Sequence, residues 1–358
     1  MLKLIPKIPL YKSFRATGRP GMLPMNLTLN VTYHCPSRCQ TCNVWKKQVD
    51  EFTLEEWTKT FQSIGRNKIY WLILSGGEPF MRKDLPELAK AAYQHCRPAI
   101  INIPTNGFLS DIIPSAVEKI LANCPQSQIV INFSLDGIGE KHDAIRNLEN
   151  SFERMLKSYS AVRKINNPRL TIGIHSVISK LNFRDIPEIY TYATETLQAD
   201  SYITEIAERR VELDTLDLEL VPAAGEYSQA ADFLMAQIKK KRSKGLSRIT
   251  QALRLNFYAL IKQYNDKNTQ ILPCYAAFAS GQISADGEVW PCCVRGKSLG
   301  SLRKNSYNFK KIWFGEKAAA VRRSIKNKEC SCPLASASYT NMLMDPRTLS
   351  KIAAKIIK

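Results

Sequence analysis

The sequence predicts an α/β chain, a partial (β/α)6 barrel followed by a small cysteine-rich α+β domain. Three observations point there. Six short apolar or alternating runs recur with helical segments between them, the pattern of a parallel sheet. Several of these runs end in glycine-rich or polar turns, at the strand ends where α/β barrels carry their chemistry. Most of the ten cysteines fall in two groups, one just after the first run and one beyond residue 273.

Taken in order, residues 1–24 are basic and punctuated by prolines, which predicts an extended arm. Asn26-Leu27-Thr28-Leu29-Asn30-Val31 alternates and reads as the first strand. Residues 51–67 read as a helix with Phe52, Trp57, Phe61 and Ile64 on one face. The second strand, 69–74, is a continuous apolar run suited to a sheet covered on both faces. Helix 84–96, strand 99–103, helix 114–123 and strand 128–133 follow, then helix 150–165, strand 169–177, helix 185–197 and strand 201–207. The barrel therefore occupies 25–221, and a mainly helical linker 222–272 leads to the cysteine-rich domain at 273–340. The run Lys239-Lys240-Lys241-Arg242 reads as a solvated helix end or turn. Residues 341–358 close the chain with a short basic amphipathic helix, in which isoleucines recur at helical spacing between lysines.

The first cysteine group is Cys35, Cys39 and Cys42, a C-x3-C-x2-C spacing within eight residues. Such a loop can wrap three corners of a [4Fe-4S] cluster, which is ordinarily held by four cysteines. No fourth cysteine follows within fifty residues, so one iron would be left open to a ligand. A zinc knuckle is the competing reading, but zinc favours paired C-x2–4-C ligands and a fourth ligand. Cys96 and Cys124 stand alone and read as buried hydrophobes.

C-x3-C-x2-C after a first strand resembles the signature of the radical S-adenosylmethionine (SAM) superfamily. The resemblance implies a partial barrel of the TIM type, with SAM chelated to the open iron. One electron from the cluster would cleave SAM to a 5′-deoxyadenosyl radical. Thr41 departs from the aromatic residue usual before the third cysteine, although the backbone contact made there survives the change. Gly76-Gly77-Glu78-Pro79 resembles the family's GGE-P turn, and the resemblance implies that Glu78 meets the SAM ammonium. The two glycines are expected to let the backbone approach that ligand closely. Thr105-Asn106-Gly107 resembles the turn that helps shape the SAM pocket. Ser134 and Asp136 match positions that contact the SAM ribose or methionyl part, and Arg146 matches an arginine suited to the SAM carboxylate. His175, Ser176 and Glu205 are further rim candidates, for which an ordinary barrel polar residue is an equal reading. The resemblance covers roughly residues 25–210.

The second group opens with Cys274, twelve residues, Gly287, four residues and Cys292-Cys293, and ends in Cys330-Ser331-Cys332. It resembles a SPASM/twitch-like domain, whose hairpin around the glycine carries auxiliary cluster ligands. A hairpin of 281–284 and 288–290 turning at Ala285-Asp286-Gly287 fits that pattern. A full SPASM domain has seven cysteines and this chain has five there, so one auxiliary [4Fe-4S] cluster is expected. Its ligands are assigned as Cys274, Cys292, Cys330 and Cys332, with Cys293 spare. Zinc is the alternative, although C-x-C makes a poor knuckle.

A composition 44% hydrophobic and 23% charged is that of a globular protein. Clustered cysteines in so long a chain fit metal binding in a reducing, cytoplasmic compartment rather than a disulfide scaffold. Prolines at 6 and 9 interrupt any signal-like apolar segment. The net charge of +19 admits nucleic acid, an anionic substrate or an anionic membrane surface. No basic ribbon interleaved with aromatics stands out, so nucleic acid is the weakest of these. Lysines at both chain ends, beside isoleucines in the tail, raise peripheral contact with an anionic membrane.

The reading is a radical SAM enzyme that abstracts hydrogen from a small-molecule, peptide or lipid-linked substrate. The auxiliary cluster would assist an oxidation, epimerisation or bond formation, with a flavodoxin- or ferredoxin-type electron donor. A peptide-modifying maturase is one alternative, less favoured because only 34 residues precede Cys35. A lipid or glycan enzyme at the membrane surface is another. A non-catalytic iron–sulfur carrier is the third, and it has no use for the rim motifs.

Overall fold

The computed structural model describes residues 2–241, 246–267 and 269–357, with the side chains of 2–3, 246–247 and 353–357 excepted. All six predicted barrel strands form: β1 Asn26–Thr32, β2 Trp71–Gly76, β3 Ile100–Thr105, β4 Gln128–Ser134, β5 Leu170–Ile178 and β6 Ser201–Ile206. Each pairs in parallel with the next, so all six carboxyl ends lie on one rim. The strands alternate with helices Leu54–Ile64, Leu85–Cys96, Ile113–Asn123, Ser151–Arg163 and Ile186–Thr191. Leu27, Leu29, Leu72, Leu74, Ile101, Ile103, Ile129 and Ile131 are fully buried. Leaving water makes each such aliphatic side chain worth roughly 1.5–3 kcal/mol. Cys96 and Cys124 are buried in this core, as expected.

The predicted hairpin is present as β7 Ser280–Ile283 and β8 Glu288–Trp290, with a short β9 Gly300–Ser301 beyond it. Gly287 turns it with φ +83, and a side chain there would collide with the Phe52 ring. What the sequence does not reveal is where the hairpin goes. Strand β7 pairs in parallel with β1, Asn26 opposite Ser280 and Leu29 opposite Ile283. The strands therefore form one nine-stranded sheet, in the order β6-β5-β4-β3-β2-β1-β7-β8-β9.

Two further departures are local. The extended arm expected at 1–24 is instead a 3-10 segment Leu2–Lys7 running into an α-helix Ile8–Thr17. Pro9 sits in that helix's first turn, where a missing N–H costs nothing. Tyr11 and Phe14, one turn apart, are buried, and Gly18 ends the helix with φ 82. The arm is docked, since Arg15 donates to the Cys274 carbonyl at 3.0 Å and Phe14 meets Phe278 edge to face. The second departure is an additional helix, Glu140–Arg146, which sets Arg146 at its C-terminal end.

The linker is a pair of packed helices, Ala224–Lys240 and Leu246–Lys267. Lys239 and Lys240 end the first of these as expected, and Arg242 lies outside the described residues. Helix Ala335–Met344 crosses the boundary expected at 340, and the tail helix Pro346–Ile357 packs on it and on Leu246–Lys267. In the tail Ile352 is buried, and the side chains of Lys355, Ile356, Ile357 and Lys358 lie outside the described residues. Among the described residues no helix is long and apolar enough to cross a membrane.

Candidate active site

The cysteine loop leaves β1 and is tied down on three sides. On one side the chain crosses glycines. The Gly77 N–H donates to the Thr32 carbonyl and the Glu78 N–H to the His34 carbonyl, both at 2.8 Å. A Cβ on Gly76 would stand 2.1 Å from the Thr32 oxygen, and one on Gly77 would stand 2.3 Å from the His34 oxygen. The bareness of the pair thus admits the loop's own backbone, and both residues also line the cavity beside it. On the second side Glu51 accepts from the Tyr33 N–H at 2.6 Å and from the Thr32 hydroxyl at 2.9 Å. On the third side the Arg38 and Gln40 N–H groups donate to carbonyls of Arg146 and Ile145, at 3.2 and 2.9 Å.

So held, Cys35, Cys39 and Cys42 line a cavity of about 200 Å³ together with Glu78, Asn106, Ser134, Asp136 and Arg146. Loss of water pushes the Cys35 and Cys42 thiols up to about 12 and also raises Cys39. A bound cation is the ordinary means of keeping such groups as thiolates.

Glu78 is buried and already partnered. Its carboxylate accepts from the Thr105 hydroxyl at 2.9 Å, the Asn106 N–H at 2.7 Å and the Phe80 N–H at 3.2 Å. Pro79 starts the short 3-10 turn that presents the Phe80 N–H. Burial nevertheless pushes Glu78 up to about 7, so a cation placed against it would be held firmly. Thr105 and Asn106 thus orient the carboxylate, and Asn106 also donates to the Ser37 hydroxyl at 3.1 Å. Arg146 is engaged as well, pairing with Asp136 at 2.6 Å and reaching the Cys39 sulfur at 3.8 Å. Asp136 accepts in addition from the Val177 N–H at 2.8 Å.

The segment after β6 brings to the cavity charged residues that the sequence motifs do not mark. Residues 207–215 form a strap over the rim. On one side the Asn43 N–H donates to the Leu213 carbonyl at 2.8 Å and the Lys47 ammonium to the Val211 carbonyl at 3.1 Å. On the other the Glu212 N–H donates to the Cys293 carbonyl at 3.2 Å. The strap turns charged side chains inward. Arg210 pairs with Glu205 at 2.8 Å and with Glu208 at 3.5 Å, and Glu205 also meets His175 at 3.2 Å. Desolvation opposes ionisation of Glu205, yet Arg210 and then His175 hold it well below the usual carboxylate range. Burial pushes Glu208 up to about 7. Ser176, the third rim candidate, instead donates to the Leu135 carbonyl as an ordinary core hydroxyl. The available signal was the density of charge in Glu208-Arg209-Arg210-Val211-Glu212, immediately after a strand's carboxyl end.

Beyond the strap a second cavity of about 160 Å³ reaches Cys292 and Cys293, and it shares Ser75, Pro104, His175, Glu205 and Arg210 with the first. Cys274, Cys330 and Cys332 line a third hollow behind it. Cys292 is close enough to feel the charge of Cys274 and Cys330, and Cys332 that of Cys274 and Cys292. Cys293 faces mainly Glu212 and Arg210. Fold and site together describe a parallel half-barrel with a thiol-lined cavity at its rim and a second group of thiols across the strap.

Comparison with known proteins places this class more closely. Residues 29–193 match the family model of the radical SAM superfamily, and residues 274–333 match that of the SPASM iron–sulfur cluster-binding domain. The chain therefore carries a radical SAM domain and, beyond it, a SPASM domain. That pair of domains implies [4Fe-4S] clusters and SAM as cofactors.

Fe-coproporphyrin III synthase of Methanosarcina barkeri is 30% identical over 60% of this chain and 52% of its own length. AdoMet-dependent heme synthase of the same organism is 26% identical over 87% of this chain and 86% of its own. PqqA peptide cyclase of Granulibacter bethesdensis is 30% identical over 46% of this chain and 43% of its own. The chain thus spans about half the length of some of the curated relatives it matches. The fold is shared with SuiB of Streptococcus suis bound to SAM, at TM-score 0.60 and 15% identity over 87% of this chain and 68% of that one. It is shared also with anSMEcpe bound to AdoMet and a peptide, at TM-score 0.59 and 14% identity over 94% and 97%.

The residues fit these cofactors. Three thiols line one cavity, Arg146 stands against the Cys39 sulfur, and the buried carboxylate of Glu78 lines the same cavity.

Proposed function

We propose that this chain is an enzyme that cleaves SAM reductively and uses the resulting radical to take hydrogen from a substrate held beneath the strap. The observation that carries this reading is the adjacency of the two cavities, one lined by Cys35, Cys39 and Cys42 and the other by Cys292, with His175, Glu205 and Arg210 lining both. When bound, the three-cysteine cluster supplies the electron that cleaves SAM to the 5′-deoxyadenosyl radical. The remaining work belongs to the chain. Glu78 receives the SAM ammonium, braced by Thr105, Asn106 and the Phe80 N–H. Arg146, already spanning Asp136 and Cys39, holds positive charge beside the loop. Gly76 and Gly77 fix the loop, and Ser134 and Asp136 line the same cavity as the thiols. Cys274, Cys292, Cys330 and Cys332 hold the auxiliary cluster, and Cys293 stands outside that set.

A flavodoxin- or ferredoxin-type protein supplies the electrons. The membrane-surface reading loses support from both ends of the chain, because Tyr11, Phe14 and Ile352 turn their apolar faces into the protein. A tetrapyrrole substrate, suggested by the names of two relatives, fits poorly with the carboxylates Glu205, Glu208 and Glu212 in and beside the cavity. The test is anaerobic reconstitution with iron and sulfide, then SAM and dithionite, assayed for 5′-deoxyadenosine. No 5′-deoxyadenosine from protein carrying its full iron would overturn the proposal.

A further inference from the structure

The strap offers one carboxylate that its neighbours leave unfinished. Glu212 is engaged by the Gln282 amide and lies near Lys47, and Glu205 takes the shorter Arg210 contact together with His175. Glu208 has only the longer Arg210 contact, at 3.5 Å to Oε1. Its side chain is 5% exposed and lines the cavity. Among the described residues its Oε2 has no hydrogen-bond partner, and neither does the Nε of Arg210. A buried oxygen without a donor and a buried N–H without an acceptor each carry a desolvation cost that a ligand can remove. One group asks for a donor, best a charged one, and its neighbour asks for an acceptor.

We propose that Glu208 and Arg210 form the substrate-recognition pair, which takes a primary ammonium group with an acceptor oxygen on the same skeleton. The ammonium donates to Glu208 Oε2 and the oxygen accepts from Arg210 Nε. This rests on the reading of the cavity as a reaction site and narrows it to amines. Two sources carry that chemistry, the N-terminal residue of a peptide and a free amino sugar. Polyanions such as propionate-bearing tetrapyrroles are disfavoured, because they would place carboxylates against Glu208.

The test is calorimetric titration of anaerobic holoenzyme in the presence of SAM. Two near-isosteric pairs serve as probes, alaninamide against lactamide and glucosamine against glucose, with coproporphyrin III alongside. In at least one pair the amine binds about tenfold or more tighter than its hydroxyl partner, as expected for a charged hydrogen bond. Which pair responds identifies the source. Glu208→Gln removes the preference, and Glu208→Asp, a second variant that keeps the charge, reduces it by shortening the reach. Equal binding within both pairs, no measurable binding of either amine, or a preference that survives Glu208→Gln overturns the proposal. So does tight coproporphyrin III binding that ignores the substitution. The 5′-deoxyadenosine assay on the same preparation separates the two readings. A failure there sinks SAM cleavage and leaves the amine preference standing.

Discussion

The guanidinium of Arg146 lies 3.8 Å from the sulfur of Cys39 while its other nitrogen pairs with Asp136 at 2.6 Å. Both side chains are almost wholly buried. Arg146→Ala would strand the Asp136 carboxylate, a change that typically costs about 3–5 kcal/mol. It also removes positive charge beside the thiol, so the midpoint potential of the cluster held there should fall. Denaturant unfolding and an EPR-monitored redox titration read the two effects. Unchanged values in both would show that the contact is incidental.

Iron content separates the two thiol groups. Protein with both clusters should hold about eight irons per chain. Cys35→Ala, Cys39→Ala or Cys42→Ala should lose about half of them and all SAM cleavage, and Cys330→Ala should lose the other half. Cys293→Ala should retain nearly all its iron. If Cys293→Ala loses iron and Cys292→Ala does not, the auxiliary ligand has been misassigned.

Glu78→Gln should weaken SAM binding by about 1.5–3 kcal/mol, the range for a hydrogen bond to a charged group. Equilibrium binding to the reconstituted protein measures it. An unchanged affinity would reduce Glu78 to a brace for the Thr105-Asn106-Gly107 turn.

The same carboxylates set a pH trend in the ligand-free protein. Glu78 and Glu208 titrate near 7 when folded, above the usual carboxylate value of 4.5. Folding therefore raises their proton affinity. Their contribution to stability is fully present below about 4.5 and is lost as pH rises through about 7. The difference in melting temperature between wild type and Glu208→Gln should change across that window, with the wild type losing ground as pH increases. A difference that stays constant from pH 4.5 to 8 would contradict the shift.

Gly77→Ala should damage the cysteine loop without replacing a cysteine. Its Cβ would lie 2.3 Å from the His34 oxygen, whereas a Cβ at Gly225 meets nothing within 4 Å. Gly77→Ala should cost about 1–3 kcal/mol, the usual penalty of overpacking, and lower the iron retained by the first site. Gly225→Ala, the control, should hold its iron.

Much of the fold was legible because its signals are local. Strand periodicity located all six barrel strands to within a residue or two, and the turns after β1, β2, β3 and β4 carried the rim residues. The hidden parts rest on contacts between distant segments. Nothing in Ser280–Ile283 names β1 as its partner, because parallel pairing leaves no mark in either strand's own period. Nothing local marks Glu208 and Arg210 as inward-facing, since it is the strap's bonds to Asn43 and Cys293 that turn them inward. The N-terminal helix was missed because Pro6 and Pro9 were weighed as breakers, when Pro9 occupies the first turn that tolerates it.

The pairing of β1 with β7 also governs how the chain acquires its shape. The barrel's own first strand keeps one edge open until nearly the whole barrel and linker have been made. An open strand edge invites pairing with other chains, and closing so long a loop is entropically slow. A fragment ending before Ser280 would carry that edge permanently, so the barrel portion expressed alone should aggregate where the full chain does not. The hairpin between Cys274 and Cys292 thus acts as the seal that completes folding.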